Sequence, residues 1–242
     1  MLLRFDPAVR QAAILSDRYA GLDGSALLRA VLTETCPGRT ALVSSFGAEA
    51  AVLLQLVAEV DPATPVIFLD TGKHFPETLR YVERVTERLG LRDVRPVAPS
   101  PRDLAERDPE GGLWRRDPDA CCHLRKALPL ERALAGFKAW ITGRKRFHGG
   151  LRGDLPLIEA ANGRIKINPL ARWSAEDIHD AFERLDLPPH PLTALGYRSI
   201  GCATCTRAIT LDDDIRAGRW AGSGKTECGI HIGADGAIRR AG

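Results

Sequence analysis

The run Thr40-Ala-Leu-Val-Ser44, followed by Ser45-Phe-Gly47, decides the fold class of this chain. The run is short and mostly apolar, it ends in small polar residues, and the apolar stretch 48–60 after it predicts a long helix. The same order returns at 65–69, which precedes a helix predicted over 76–89 with proline in its first turn. Short apolar strands that alternate with helices are typical of a parallel sheet with helices on both faces.

Further elements extend this pattern in both directions. Strands are predicted at 94–97 and 138–142, and helices with apolar residues at helical spacing are predicted over 6–35. The sequence therefore predicts an α/β fold with a twisted parallel sheet, helices on both of its faces and a helical N-terminal segment. We expect residues 1–208 to form this one domain. Residues 209–242, rich in glycine and poor in apolar periodicity, are expected to form a flexible C-terminal segment.

The composition sets the broad class of protein. A chain of 242 residues, 44% of them hydrophobic, is long enough to fold as one large domain without disulfide bonds. A formal net charge of +3 gives no strongly basic surface for nucleic acid, and no apolar run reaches the length of a membrane span. The first residues also lack the pattern of a secretory signal. We therefore expect a cytoplasmic protein, in which cysteines serve more often as ligands or catalysts than in disulfides.

Three predicted strands end in polar segments that contain glycine, namely 44–47, 70–73 and 143–146. Each segment alone is typical of an ordinary turn from a strand to a helix. Parallel strands place their carboxyl ends at one edge of the sheet, where α/β proteins bind ligands, so the three together predict a binding site.

Four cysteines form two closely spaced pairs. Cys121 and Cys122 are adjacent, and Cys202 and Cys205 form a Cys-x-x-Cys motif. Four thiolates from two segments can hold a structural zinc ion or an iron–sulfur cluster. The spacing favours the cluster, because neighbouring residues can each bind a separate iron corner, but zinc and uncoordinated thiols remain alternatives.

Cys228 differs from these four because it lies in the glycine-rich C-terminal segment, within the run Lys225-Thr-Glu-Cys-Gly-Ile-His231. A cysteine there is poorly placed for core packing, and the nearby Lys225 and His231 favour the nucleophilic thiolate. A surface thiol without a function is the alternative. The sixth cysteine, Cys36, precedes a proline at a predicted helix end and receives no functional assignment.

Basic residues accompany these cysteines. Lys126 follows the adjacent pair by one helical turn, and Arg216 and Arg219 are three residues apart, so that one helix face can present both. Each residue alone is typical of a solvated surface charge. Together with Arg125, Arg144, Lys145, Arg146, Arg152 and Arg207, they predict a cationic pocket for a doubly charged anion.

The order of these motifs resembles that of the assimilatory sulfonucleotide reductases, over about residues 40–232. The resemblance rests on Ser45-Phe-Gly-Ala-Glu49, Leu69-Asp-Thr-Gly72, Phe75-Pro-Glu-Thr78, Cys121-Cys-His-Leu-Arg-Lys126, Gly201-Cys-Ala-Thr-Cys-Thr-Arg207, Gly218-Arg-Trp220 and Glu227-Cys-Gly-Ile-His231. It implies an adenine nucleotide alpha hydrolase-like fold, related to the PP-loop enzymes. It also implies reduction of a sulfonucleotide, with thioredoxin or glutaredoxin as electron donor, in sulfate assimilation and cysteine biosynthesis.

The two cysteine pairs indicate one branch of this family. One branch reduces adenylyl sulfate and carries a [4Fe-4S] cluster, whereas the other reduces the 3'-phosphorylated nucleotide and typically lacks the four cysteines. The resemblance therefore implies the adenylyl sulfate branch, with the cluster held by Cys121, Cys122, Cys202 and Cys205. Reduction of the 3'-phosphorylated nucleotide stays an alternative, since some cluster-bearing relatives accept both.

The resemblance also implies roles for single residues. Cys228 matches the nucleophile, which attacks the sulfur of the substrate, forms an S-sulfocysteine and releases AMP. Thioredoxin then releases sulfite from this adduct. Three basic positions match those that meet the sulfate end of the substrate: Lys126, Arg216 and Arg219. The arginine that clamps the substrate is expected among Arg144, Arg146 and Arg152, in a loop that departs from the usual family pattern.

The loops after the first two strands are expected to hold the nucleotide, again by resemblance. The first would form the modified phosphate loop, with Ser44, Ser45, Phe46, Gly47 and Glu49. The second would help to hold the nucleoside, with Leu69, Asp70, Thr71 and Gly72.

Two other classes of protein compete with this interpretation. A PP-loop ATP pyrophosphatase with an iron–sulfur cluster needs a Ser-Gly-Gly-x-Asp-Ser loop, and 44–49 lacks the second glycine and the aspartate. A cysteine-rich module for nucleic acid is disfavoured by the weak net charge and by the lack of basic stripes with interleaved aromatic residues. We expect neither a nucleic-acid nor a membrane partner, and the sequence leaves a homo-oligomeric assembly open.

Overall fold

The computed structural model describes residues 6–223 and 225–231. Within these residues one sheet has six strands, which are β1 Thr40–Ser44, β2 Val66–Leu69, β3 Val94–Val97, β4 Ala139–Ile141, β5 Ile158–Ala161 and β6 Arg164–Ile167. In space the order is β3-β2-β1-β4-β6-β5, and all neighbouring pairs are parallel except β5 with β6. The four strands expected from the apolar runs are β1 to β4, and the prediction of an α/β fold with a mostly parallel sheet is confirmed.

The β5–β6 hairpin is absent from the sequence prediction. Its turn is Asn162-Gly163, and both residues have positive φ angles, 53° and 70°. Asn-Gly favours this kind of two-residue turn between antiparallel strands, so the dipeptide is the signal that could have revealed the hairpin. In the hairpin, Glu159 lies directly opposite Lys166.

The α-helices of the described residues are α1 Pro7–Arg18, α2 Gly24–Arg29, α3 Ala50–Val60, α4 Pro76–Arg88, α5 Pro101–Arg107, α6 Leu113–Arg116, α7 Pro118–Cys122, α8 Leu128–Ala133 and α9 Ala175–Arg184. The helices predicted over 48–60 and 76–89 correspond to α3 and α4. Two π-helical turns, at 30–35 and 123–127, continue α2 and α7. Every helix in the described residues falls short of the length and apolar character needed to cross a bilayer.

Local chemistry explains where several helices begin. The Asp6 carboxylate accepts a hydrogen bond from the Ala8 N–H at 2.9 Å and caps α1. Ser174 and Asp177 form a reciprocal capping box at the start of α9. Pro76 occupies the first position of α4, where its fixed φ angle suits a helix and its missing N–H costs nothing.

Both faces of the sheet are buried at the central strands β1, β2 and β4, whereas the edge strand β3 is partly exposed. On one face, Leu42 and Phe68 belong to the larger apolar cluster, which also includes residues of α3 and α9. On the other face, Val43 and Ile67 join a smaller cluster with Leu130 of α8. The two clusters therefore cover both faces of the central strands.

Candidate active site

A cleft opens at the edge of the sheet where β1, β2 and β4 end. The segment after β1 lines it with Ser44, Ser45, Gly47 and Glu49. Leu69 at the end of β2, the segment 143–145 after β4 and the C-terminal segment complete the lining. Residues from two of the three polar segments, 44–47 and 143–146, therefore meet at one cleft, whereas 70–73 does not line it.

The loop after β1 is shaped by Phe46 and Gly47. Phe46 adopts a φ of 47°, its N–H donates to the Ser44 hydroxyl at 3.1 Å, and its ring is buried against Phe68. A β-carbon at Gly47 would lie 3.0 Å from the carbonyl oxygen of Ile200, so the close approach of these two backbones favours glycine. Phe46 thus supports the loop from the core, and it does not line the cleft.

The loop after β2 joins the cleft to the two cysteine pairs. Leu69 lines the cleft, whereas Asp70, Thr71 and Gly72 do not. The Asp70 carboxylate accepts a hydrogen bond from the Gly72 N–H at 3.0 Å, which fixes the turn. The buried Thr71 hydroxyl lies 3.3 Å from the Sγ atom of Cys202. Three of the four residues predicted to hold the nucleoside therefore lie outside the lining of the cleft, and their role in binding stays a prediction.

The four paired cysteines, although distant in sequence, surround one small enclosed pocket. Cys121, Cys122, Cys202 and Cys205 line it. All four are free thiols. Across residues 6–223 and 225–231, no three His, Cys, Asp or Glu side chains are close enough to hold a single metal ion. Burial raises the pKa of the Cys121 thiol to about 11.

Cys228 lies at the cleft and is partly exposed there. A hydrogen bond with Cys122 holds the pKa of the Cys228 thiol well below its usual range, against the effect of burial. The positive charge of Lys126 and a hydrogen bond from the Ile230 N–H lower this pKa further. Position 228 thus has both access to the cleft and an environment that favours the thiolate.

Lys126, Arg216 and Arg219 all line the cleft with Cys228. Burial lowers the pKa of Lys126, but the nearby sulfur atoms of Cys202, Cys228 and Cys122 outweigh it, so that the pKa is raised. Burial lowers the pKa of Arg219, whose guanidinium stacks on the Trp220 ring at 4.4 Å. The structure therefore gathers these three predicted cations around one thiol.

The two candidate clamping arginines of the cleft are already paired. Arg144 forms a buried ion pair with Glu159 of β5 and lies near Asn168. The Nε and Nη2 atoms of Arg152 donate to the two carboxylate oxygens of Glu227, at 2.6 and 2.9 Å. Arg146, the third candidate, donates from Nε to the Leu155 carbonyl at 2.9 Å.

The C-terminal segment is held against the cleft over residues 225–231. Lys225 pairs with Asp119 of α7, and Arg216 donates to the Thr226 carbonyl at 3.1 Å. Ile230 packs on the smaller apolar cluster, and the His231 ring lies parallel to that of Trp140. Residues 232–242 of the predicted flexible segment lie outside the described residues, and its flexibility stays a prediction.

Sequence reasoning placed Lys145 in the cationic pocket but missed several other polar residues of the cleft, among them His74, His148 and Glu227. Lys145 donates to the Glu49 carboxylate at 2.7 Å, and His148 lies 3.0 Å from it. These two contacts hold the pKa of Glu49 at about 2, against the effect of burial. Proximity to the polar segment after β4 was the available signal for His148. Glu227 had a similar signal, because it directly precedes Cys228.

The chain is similar to known proteins over most of its length. The family model described as the phosphoadenosine phosphosulfate reductase domain matches residues 39–208. The chain is 46% identical over 227 residues to an adenosine 5'-phosphosulfate reductase of Mesorhizobium japonicum, covering 94% of this chain and 89% of that protein. It is also 46% identical over 223 residues to the same enzyme of Chelativorans sp., covering 92% and 91%.

Solved structures point in the same direction. The phosphoadenylyl-sulfate reductase of Candida auris, in complex with phosphate, has a TM-score of 0.68 and 27% identity, over 86% of this chain and 99% of that one. Yeast FAD synthetase bound to FAD has a TM-score of 0.53 at 16% identity, over 85% and 77%, and this likeness shows the fold alone. The family model and the sequence relatives together establish that this chain belongs to the phosphoadenosine phosphosulfate reductase family and is an oxidoreductase.

Proposed function

We propose that this protein reduces adenylyl sulfate to sulfite and AMP, with Cys228 as the nucleophile and thioredoxin or glutaredoxin as the electron donor. The observation that carries the proposal is the position of the Cys228 thiol, which lies at the strand-end cleft beside Lys126, Arg216 and Arg219. The two relatives at 46% identity bear the name of this activity, and they support the choice of substrate.

The first step is attack of the Cys228 thiolate on the sulfur of adenylyl sulfate. A bond forms between the two sulfur atoms, the bond from sulfur to the bridging oxygen breaks, and AMP leaves with its electron pair. Both partners are negatively charged, so their repulsion raises the barrier. Lys126 and Arg219 offset this repulsion, because fixed charges in a partly buried site stabilise the anionic transition state.

The second step returns the enzyme to its starting state. A thiolate of the donor attacks Cys228 Sγ, a mixed disulfide forms, and sulfite leaves with the electron pair of the broken sulfur–sulfur bond. The second thiol of the donor then resolves the mixed disulfide and frees Cys228. The donor is oxidised to its disulfide, and the sulfonyl sulfur is reduced to sulfite. Cys228 is partly exposed, which suits attack by a second protein.

The loop after β1 is proposed to hold the phosphate group of the nucleotide. Ser44, Ser45 and Gly47 line the cleft there, and the closeness of Gly47 to the Ile200 backbone keeps the loop tight. Phosphate groups bind to backbone N–H groups and hydroxyls of this kind at the ends of parallel strands. The nucleoside would lie beside Leu69 and His74.

The four paired cysteines fit a [4Fe-4S] cluster. The four donors are all cysteine thiols, which are the usual ligands of iron–sulfur clusters. Each thiol would bind a different iron atom, so the four sulfur atoms need to lie farther apart than they would around a single metal ion. Among the described residues, the buried Nε atoms of Arg125 and Arg219 lack hydrogen-bond partners, and both arginines line the same pocket. Buried cationic groups with unsatisfied N–H donors favour an anionic group in the pocket that they line. When bound, such a cluster supplies negative charge and a redox centre beside Lys126.

Reduction of the 3'-phosphorylated nucleotide is the second candidate. It is favoured by the structural likeness to a phosphoadenylyl-sulfate reductase at 27% identity. The higher identity of 46% to adenosine 5'-phosphosulfate reductases, and the complete set of four paired cysteines, favour adenylyl sulfate. Turnover measured on both nucleotides under identical conditions separates the two.

The proposed function is tested by mixing the purified protein with adenylyl sulfate in the absence of any reductant. Mass spectrometry should show the mass of one added sulfonate group on the peptide that contains Cys228, together with one equivalent of AMP. The Cys228→Ser variant is the control and should show neither. A sulfonate adduct on another cysteine would show that the nucleophile is wrongly assigned. AMP release without any adduct would exclude the two-step mechanism.

A further inference from the structure

The carboxylate of Glu227 holds the C-terminal segment to the body of the domain. It accepts two hydrogen bonds from Arg152, from Nε at 2.6 Å and from Nη2 at 2.9 Å. The side chains are only 9% and 11% exposed. This is the two-point geometry of a strong arginine–carboxylate pair, and it joins residues that are 75 positions apart.

Arg152 is itself fixed by a neighbour. Its Nη1 atom donates to the Nδ1 atom of His148 at 3.0 Å. Because arginine only donates hydrogen bonds, Nδ1 is the acceptor and the imidazole proton lies on Nε2. The Nε2 atom then donates to the Glu49 carboxylate, also at 3.0 Å. A continuous line of hydrogen bonds thus connects the loop after β1 with Glu227.

The same carboxylate reaches the backbone of the nucleophile. The Glu227 Oε1 atom accepts a hydrogen bond from the Cys228 N–H at 2.9 Å. Arg216 lies 3.5 Å from this oxygen and also donates to the Thr226 carbonyl. The peptide groups on both sides of residue 227 are therefore held by the Glu227 carboxylate and by an arginine paired with it.

We propose that Glu227 is a positioning residue, whose ion pair with Arg152 holds the Cys228 thiol at the cleft for attack on the substrate. The proposal rests on the proposed function. Under this proposal, the main role of Arg152 is to hold the C-terminal segment. Two of its three guanidinium nitrogens are bound to Glu227 and the third to His148.

The main test is the Glu227→Gln variant, with Glu87→Gln on the exposed face of α4 as matched control. At saturating adenylyl sulfate and without reductant, adduct formation on Cys228 should be about 10- to 100-fold slower in Glu227→Gln, the usual effect of losing a hydrogen-bonded charge. The affinity for AMP should stay at the wild-type value. Glu227→Asp keeps the charge, and its rate of adduct formation should lie between those of Glu227→Gln and the wild type.

A second measurement does not depend on turnover. Iodoacetamide should alkylate Cys228 faster in Glu227→Gln and in Arg152→Gln than in the wild type, as followed by mass spectrometry of its peptide. Because the two residues act as one pair, the double variant should react no faster than either single variant.

Two results would overturn the positioning role. One is wild-type rates of both adduct formation and alkylation in Glu227→Gln. The other is a loss of AMP affinity with an unchanged rate at saturation, since this would place Glu227 in nucleotide binding. If the wild type forms no adduct while the alkylation rates differ as expected, the anchoring role stands and the proposed function fails.

Discussion

Arg125 and Asp108 form an ion pair that is shielded from solvent, with 2.6 Å between Nη2 and Oδ2. Their side chains are 8% and 0% exposed. Arg125 also donates from Nη1 to the carbonyl of Thr71 at 2.9 Å. The π-helical turn that follows the adjacent cysteines is thereby fastened to the loop after β2, and the Cys121–Cys122 pair is held opposite Cys202.

Removal of one partner of this pair should destabilise the whole domain. We predict that Asp108→Asn lowers the free energy of unfolding by about 3–5 kcal/mol, because Arg125 keeps a buried charge without its counter-ion. Asp93→Asn is the matched control, since its pair with Arg95 is exposed and should contribute about 0–1 kcal/mol. Urea denaturation checks both values. Equal losses in the two variants would contradict the prediction.

Cys228→Ser should abolish sulfite release and leave AMP binding unchanged, because a serine hydroxyl is not ionised at neutral pH and attacks sulfur poorly. Cys36→Ala is the matched control, as Cys36 is buried beside α2 and away from the cleft. Sulfite release with excess thioredoxin measures the first effect and equilibrium dialysis the second. Residual sulfite release by Cys228→Ser at the rate of the control would rule out Cys228 as nucleophile.

Lys126→Gln should slow formation of the adduct by on the order of 100-fold, since one preorganised charge is typically worth on the order of 3 kcal/mol in the transition state. The exposed Lys138→Gln is the control and should behave like the wild type. Single-turnover mass spectrometry at saturating substrate measures the rate. A wild-type rate at saturating substrate would show that Lys126 does not stabilise the transition state.

Protein purified without oxygen should contain four iron and four acid-labile sulfide atoms per chain, the composition of one [4Fe-4S] cluster. Cys202→Ser should lower both contents together, whereas Cys36→Ala should retain them. Iron and sulfide assays on the same sample provide the measurement. Zinc in place of iron would overturn the assignment of the cofactor.

His190 should make stability depend on pH. Burial lowers the pKa of its imidazole to about 4; Arg84 acts in the same direction and Glu77 opposes it. The unfolded chain takes up this proton near pH 6.5, but the folded chain does so only near pH 4. The free energy of unfolding should therefore fall by up to about 3 kcal/mol as the pH drops from about 6.5 to 4.

Chemical denaturation at several pH values checks this expectation. His190→Gln should lose this part of the pH dependence, and the exposed His179→Gln on α9 should keep it. An unchanged pH profile in His190→Gln would show that the imidazole of His190 is not the group responsible.

Local patterns in the sequence were sufficient for much of the fold. Strands β1 and β2 are runs that are buried on both faces, and such runs stay apolar throughout, so they are visible in a short window of sequence. β6 escaped detection because Arg164 and Lys166 interrupt its apolar residues. Lys166 is nonetheless buried, and Glu159 and the Trp140 ring beside it offset part of the cost of burying its charge.

The sequence by itself determined the α/β pattern, the two cysteine pairs and Cys228 as the candidate nucleophile, because spacing and residue type are local properties. Only the tertiary structure decided which charges are free to meet a ligand. Arg144 and Arg152 look alike in sequence as clamps for an anion, yet one pairs with Glu159 and the other with Glu227. The strength of such pairs depends on distance and burial, and these arise only when remote segments pack together.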